Sequence, residues 1–173
     1  MPIIVRNTIT RNFLERVQTT PNGIGFQYKP TYGPGVGKWR EETFKEFYDK
    51  CRLISCGLMH LGIAPTEKVV ILSNTRFEWS LCDMAILGAR AVTVPIYASN
   101  LPADCAYIVN HSEAKIAFAE DGKQLAKLLE MRADLKNLKH IVVFDPQAMG
   151  LAAGREDVLT LDSLTELGKR FEA

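Results

Sequence analysis

The 173-residue chain carries a formal net charge of +1 and is 47% hydrophobic, enough apolar content for one buried core in a domain or part of one. Its 21 basic and 20 acidic side chains are interspersed, which argues against nucleic acid as a partner and against an acidic interaction tail. The four cysteines, Cys51, Cys56, Cys82 and Cys105, fall on predicted helices with no C-x-x-C pair, the usage of a reducing, cytoplasmic compartment rather than a disulfide framework.

The opening Met-Pro-Ile-Ile-Val-Arg lacks the segments of a signal peptide. Thr8 to Val17 has Ile9, Phe13, Leu14 and Val17 on one side, which predicts a short amphipathic helix ended by Thr19 to Gly23. Ile24 to Tyr28 reads as a strand and Lys38 to Arg40 as its hairpin partner, with Pro30, Gly33, Pro34, Gly35 and Gly37 between them as turn residues. That loop is not a phosphate loop: only three residues separate Gly33 from Gly37, and Trp39 follows Lys38 where a hydroxyl residue is required. Thr43 and Glu46 are spaced as a capping box, and Phe44, Phe47, Tyr48, Cys51, Ile54, Leu58 and Leu61 then follow helical spacing for about five turns, stopped by Gly62 and Pro65. His60 lies near the end of this helix, where a structural role is the expectation.

Val69 to Leu72 is β-branched and apolar without alternation, as a strand covered on both faces should be. Ser73 and Asn74 can cap the next helix, expected from about Phe77 to Arg90, with Gly88 and Ala89 letting it lie close to the sheet. Val92 to Val94 is the next strand, stopped by Pro95, so the unit is a βαβ crossover and implies a parallel sheet. The apolar stretch Leu81 to Val94 contains Asp83 and Arg90 and is too short to span a bilayer, which leaves only peripheral membrane association open. Further on, Pro102 opens a helix to about His111, Lys115 to Ala119 is a strand, Lys123 to Met131 a helix and His140 to Phe144 a strand ended by Asp145-Pro146. Gln147 to Asp157 reads as a loop, and Leu161 to Phe171 as a last amphipathic helix capped by Asp162 or Ser163.

The expected fold is therefore α/β, a doubly wound, mostly parallel sheet of four strands with flanking helices, preceded by a short helix and a hairpin. Ligands of such sheets gather at the carboxyl ends of the strands, here Ser73 to Arg76, Pro95 to Ser99, Glu120 to Gly122 and Asp145. Within those loops Arg76 could contact an anion and Asn74 could hydrogen-bond a ligand beside Glu78, against the plainer reading of helix capping and first-turn charge. Trp79 and Tyr97 could wall a pocket or simply pack. No glycine-rich dinucleotide turn follows Leu72, and there is no G-x-S-x-G elbow. His60, His111 and His140 have no metal-ligand spacing.

LSNTRFEWSLCDMAILGARAVTVPIY (72–97), AYIVNHSEAKIAFAED (106–121) and WREETFKEFYDKCRLISCGLMHLGI (39–63) resemble, in order and spacing, the N-terminal part of the long-chain acyl-CoA synthetases, members of the adenylate-forming (AMP-binding) enzymes. Phe77 departs from the proline usual after the arginine, and Ala98-Ser99-Asn100 from the turn usual after the tyrosine, which affects loop shape alone. The resemblance implies a parent enzyme that activates a fatty acid with ATP and Mg to acyl-AMP, then transfers the acyl group to coenzyme A. Residues 1–173 would be an incomplete N-terminal portion of that domain, completed by the remainder of the same chain, with homodimerisation left open. The family's phosphate loop ending in Pro-Lys-Gly and its Tyr-Gly-x-Thr-Glu and Thr-Gly-Asp motifs are absent, so no catalytic, cofactor-binding or metal residue is assigned, and the piece by itself should be inactive. A free-standing α/β binding or regulatory domain derived from such an enzyme is the alternative.

Overall fold

A computed structural model describes residues 8–172. Five parallel strands form the main sheet: β3 (Lys68–Leu72), β4 (Val92–Ile96), β5 (Ile116–Ala119), β6 (His140–Val143) and β7 (Val158–Thr160), in the order β4-β3-β5-β6-β7. β3, the first of these in sequence, thus lies between β4 and β5, in register Val70↔Val94 and Val70↔Ala117. Alternate residues feed two cores. Val70, Leu72, Ala117, Ala119, Ile141 and Val143 pack with α4 (Pro102–Ser112), α5 (Gly122–Glu130) and the 3-10 turn Pro146–Ala152. Val69, Ile71, Ile116, Phe118 and Val142 face α2 (Phe44–His60), α3 (Phe77–Gly88) and α6 (Leu161–Glu172). Burial on both faces is why these strands read as unbroken apolar runs.

The capping box forms as the spacing predicts: Thr43 Oγ1 accepts from Glu46 N at 3.2 Å, and the Glu46 carboxylate accepts from Thr43 N at 2.8 Å. Helix α2 then crosses α6 where glycine meets glycine. A Cβ on Gly57 would overlap the Leu164 carbonyl oxygen, and one on Gly168 would overlap that of Leu53. Ahead of this layer, α1 (Ile9–Thr19) and the antiparallel hairpin of β1 (Ile24–Tyr28) and β2 (Arg40–Thr43) dock through aromatic rings. Phe26 stacks on Phe47 at 4.0 Å, Tyr28 on Phe77 at 3.9 Å, and Phe13 meets Phe47 edge-on at 5.7 Å.

Several expectations are corrected. The hairpin's second strand is Arg40–Thr43, later than Lys38 to Arg40, because Thr43 both ends the strand and caps α2. Pro95 does not stop β4. It pairs opposite Ile71 within the strand, which it can do because β4 is the sheet's edge and needs no outward N–H there. The sheet has a fifth strand, β7, in the three residues left between the loop Gln147 to Asp157 and the helix from Leu161, and part of that loop is the 3-10 turn. Helix α3 ends at Gly88, followed by Arg90 at φ +60, and Gly88 approaches the Ser55 hydroxyl of α2 rather than the sheet. Neither Ser73 nor Asn74 caps α3, whose N-cap is Arg76 without a side-chain bond. For α6 the capping bond comes from Thr160, whose Oγ1 accepts from Ser163 N at 3.0 Å. The four cysteines are buried and free.

Candidate functional site

In a sheet of this order the chain leaves β3 toward β4 and leaves β5 toward β6, on opposite sides, so the crevice falls at the carboxyl ends of β3 and β5. Arg76 sits there with its side chain 11% exposed. Its Nε donates to Glu78 Oε2 at 2.7 Å, Nη2 to Thr31 Oγ1 at 2.6 Å and Nη1 to Glu120 Oε1 at 3.4 Å. The guanidinium also lies 5.1 Å from the Tyr32 ring centre, within cation–π range. Glu120, at the end of β5, accepts from both the backbone N and the Nδ2 of Asn74 at 2.8 and 2.9 Å. Burial works against the Arg76 charge, but Glu78 and then Glu120 outweigh it and hold the group above its ordinary value. Burial, followed by the Glu78 charge, pushes the Tyr32 phenol far up. The cluster ties the hairpin loop, the start of α3 and the end of β5 together.

Beside it opens a cavity of about 430 Å³, bounded by Ser73 to Thr75 after β3, Trp79 of α3, and the Pro95 to Ser99 segment. Tyr97 stands at its rim, 81% exposed. Lys127 of α5 reaches over to hold the far side of that segment, donating to Ala98 O at 2.6 Å and Asn100 O at 2.7 Å. The lining is neutral: hydroxyls, an amide, peptide groups and two aromatic rings. No group of three or more His, Cys, Asp and Glu among the described residues is placed to hold a metal ion.

Two of the four loops singled out from the sequence, Ser73 to Arg76 and Pro95 to Ser99, therefore share one cavity. Glu120 belongs to the ion cluster. Asp121 caps α5 by accepting from Gln124 N, and Asp145 caps the 3-10 turn by accepting from Gln147 N. Arg76 is the N-cap residue of α3 but its side chain makes no capping bond; it is committed to two carboxylates. Trp79 and Tyr97 both line the cavity. Sequence reasoning does not connect Thr31, Tyr32 and Glu120 to Arg76. Their separations exceed forty residues, and no local pattern carries such a pairing.

Among the described residues, no helix is long and apolar enough to cross a membrane. The solved structures similar to this chain share its fold. An anthranilate CoA ligase in complex with anthranoyl-AMP superposes with a TM-score of 0.68 at 24% identity, covering 78% of this chain and 24% of that one. The A-PCP didomain of a carboxylic acid reductase from Segniliparus rugosus, in complex with AMP, gives 0.73 at 15% identity, covering 92% and 26%. By sequence, a long-chain-fatty-acid–CoA ligase of Mycobacterium bovis is 33% identical over 132 residues, 76% of this chain and 20% of its own length. One from Xenopus laevis is 30% identical over 132 residues, again 76% of this chain but 18% of its own length. The chain thus spans about a fifth of the length of these curated relatives. Residues 13–163 match the model of the AMP-binding enzymes, and the chain belongs to that family.

Proposed function

We propose that these residues form the scaffold and part of the cleft wall of an ATP-dependent ligase that joins a long-chain fatty acid to coenzyme A. In that reaction a carboxylate oxygen of the acid attacks the α-phosphorus of ATP and the bond to pyrophosphate breaks. The thiol then attacks the acyl carbon and AMP leaves. The single observation carrying the reading is the cavity between the ends of β3 and β4, which lies within the stretch matched by the family.

Phosphate transfer needs positioned cations or amide donors, and Mg needs free carboxylates. The cavity offers no cation and no free carboxylate: its lining is neutral, the Asn74 backbone and side-chain amides are donated to Glu120, and the neighbouring Glu78 and Glu120 are paired with Arg76. ATP and Mg would thus be held by residues outside these 173, and the present residues would shape and wall the cleft. The chain alone is accordingly expected to be inactive, as an incomplete portion of its domain, in the reducing cytoplasm that its four free cysteines suit.

The test is pyrophosphate release from ATP with Mg and a panel of fatty acids, run on this chain and on any longer product of the same gene. Activity confined to the longer product supports the reading. Turnover by the 173-residue chain would refute its dependence on outside phosphate-handling groups. Silence of both, with a small molecule still binding the cavity, would favour a free-standing binding domain.

A further inference from the structure

At the opposite end of the sheet, the segments entering β3, β5 and β6 enclose a second cavity of about 410 Å³. Lys68, Lys115, Lys136 and Lys139 line it, with Glu67 and Glu113 as its acidic groups. The whole chain nets +1, so this cavity, four lysines against two glutamates, carries more positive charge than the molecule overall. Lys115 is paired with Glu67. Lys68, Lys136 and Lys139 have no carboxylate within salt-bridge distance among the described residues.

Helices α2, α3, α4 and α5 end on this side, and their carbonyl ends also attract cations. That is not the use made of these lysines. The last turns are closed by backbone amides, Leu61 N to Gly57 O, Ala89 N to Ala85 O and Glu113 N to Asn110 O, each at 3.0 Å. We infer that this amino-end cavity, lined by Lys68, Lys136 and Lys139 beside the Lys115–Glu67 pair, binds a phosphate-bearing anion. A carboxylate would be satisfied by one ion pair, as Glu67 is. Lysines lining one cavity from two segments, Lys68 at the start of β3 and Lys136 and Lys139 in the loop entering β6, suit a multivalent oxyanion, which lysines hold as point charges. The site lies at the far end of the sheet from the cleft and does not depend on the ligase reading.

The anion can be a soluble phosphate or a phospholipid headgroup, and two arms separate them. Inorganic pyrophosphate is titrated into the chain by amide NMR, and vesicles of phosphatidylcholine with or without phosphatidic acid are tested by flotation. Both are repeated on Lys136→Glu/Lys139→Glu, which changes two exposed side chains, and on Lys136→Arg/Lys139→Arg. Saturable pyrophosphate shifts at residues 66–68, 113–115 and 136–139 that weaken at least tenfold in the reversal and persist in the arginine variant support a soluble ligand. Flotation with phosphatidic acid, lost in the reversal, supports the headgroup. Should the reversal not fold, Lys136→Gln serves with an expected loss of about threefold, the scale of one screened surface charge. No binding in either arm, or binding unchanged by the variants, overturns the proposal.

Discussion

Replacing Arg76 by alanine removes the one cation between Glu78 and Glu120, whose side chains are only 13% and 14% exposed. Breaking a buried pair by deleting one partner costs about 3–5 kcal/mol, because the surviving charge stays buried without its counter-ion. Here the residual exposure lets some water in, and the Glu120 contact at 3.4 Å is long, which points to the lower end, about 3 kcal/mol. Glu120 keeps its two bonds from Asn74, so most of the cost falls on Glu78, which loses its one charged partner and keeps the Tyr32 phenol beside it. The double variant Arg76→Ala/Glu78→Gln should therefore recover about 1–2 kcal/mol, a coupling typical of groups in one network. Urea unfolding reads this directly: with a slope of about 2 kcal/mol/M, the single variant's midpoint falls by about 1.5 M. The hairpin loop, no longer held through Thr31, should be cut faster by trypsin at Lys38. A midpoint within about 0.5 M of the unmodified chain, a change below about 1 kcal/mol, would show that the cluster is not a buried linchpin.

Packing and titration give two further expected outcomes. Gly168→Ala drives a methyl into the Leu53 carbonyl and to 3.1 Å from Gly57 N, backbone atoms that cannot swing aside. The gain in helix propensity, about 1 kcal/mol, should be outweighed for a net loss of about 2 kcal/mol or more, whereas Gly150→Ala, with open space around it, should be near neutral by the same urea assay. On pH, burial first, with nearby Lys139 and Arg132, holds the His140 imidazole below its ordinary 6.5 despite Asp157. The folded chain then binds fewer protons than the unfolded one, and the stability this gives above about pH 6.5 is lost as pH falls through the lowered value. Asp157, held below 3.8 by its bond to Arg155 and then by Arg132 against its own burial, adds a second loss at lower pH. A plot of urea midpoint against pH should therefore decline in two phases, with His140→Asn abolishing the upper one; a flat upper region in the unmodified chain would contradict this.

Sequence makes legible what is decided locally. The capping box needs only Thr43 and Glu46, and the βαβ unit announces itself through strands buried on both faces. Pro95 misleads because whether proline is tolerated depends on strand order, which only the assembled sheet determines. β7 is three residues long, too short for any period to show. The caps of α3 and α6 differ from expectation because Asn74 finds a better partner in Glu120, nearly fifty residues on, and Thr160 lies one residue before the helix proper. At the site, the two loops bounding the cavity can be named from strand ends alone, but the Arg76 cluster joins three separate stretches of chain.

The glycine contact between α2 and α6 also sets an order of assembly. β3, α3 and β4 are neighbours in sequence and can pair as soon as they leave the ribosome, with little loop entropy to overcome. The face of α2 bearing Phe47, Ile54 and Leu58, by contrast, is covered in part by a helix about 110 residues later. During synthesis that apolar face must wait for nearly all of these residues to emerge. The nascent chain is consequently most prone to aggregation just before α6 arrives, and a stop codon ahead of residue 161 should give a product that is retained by chaperones or degraded.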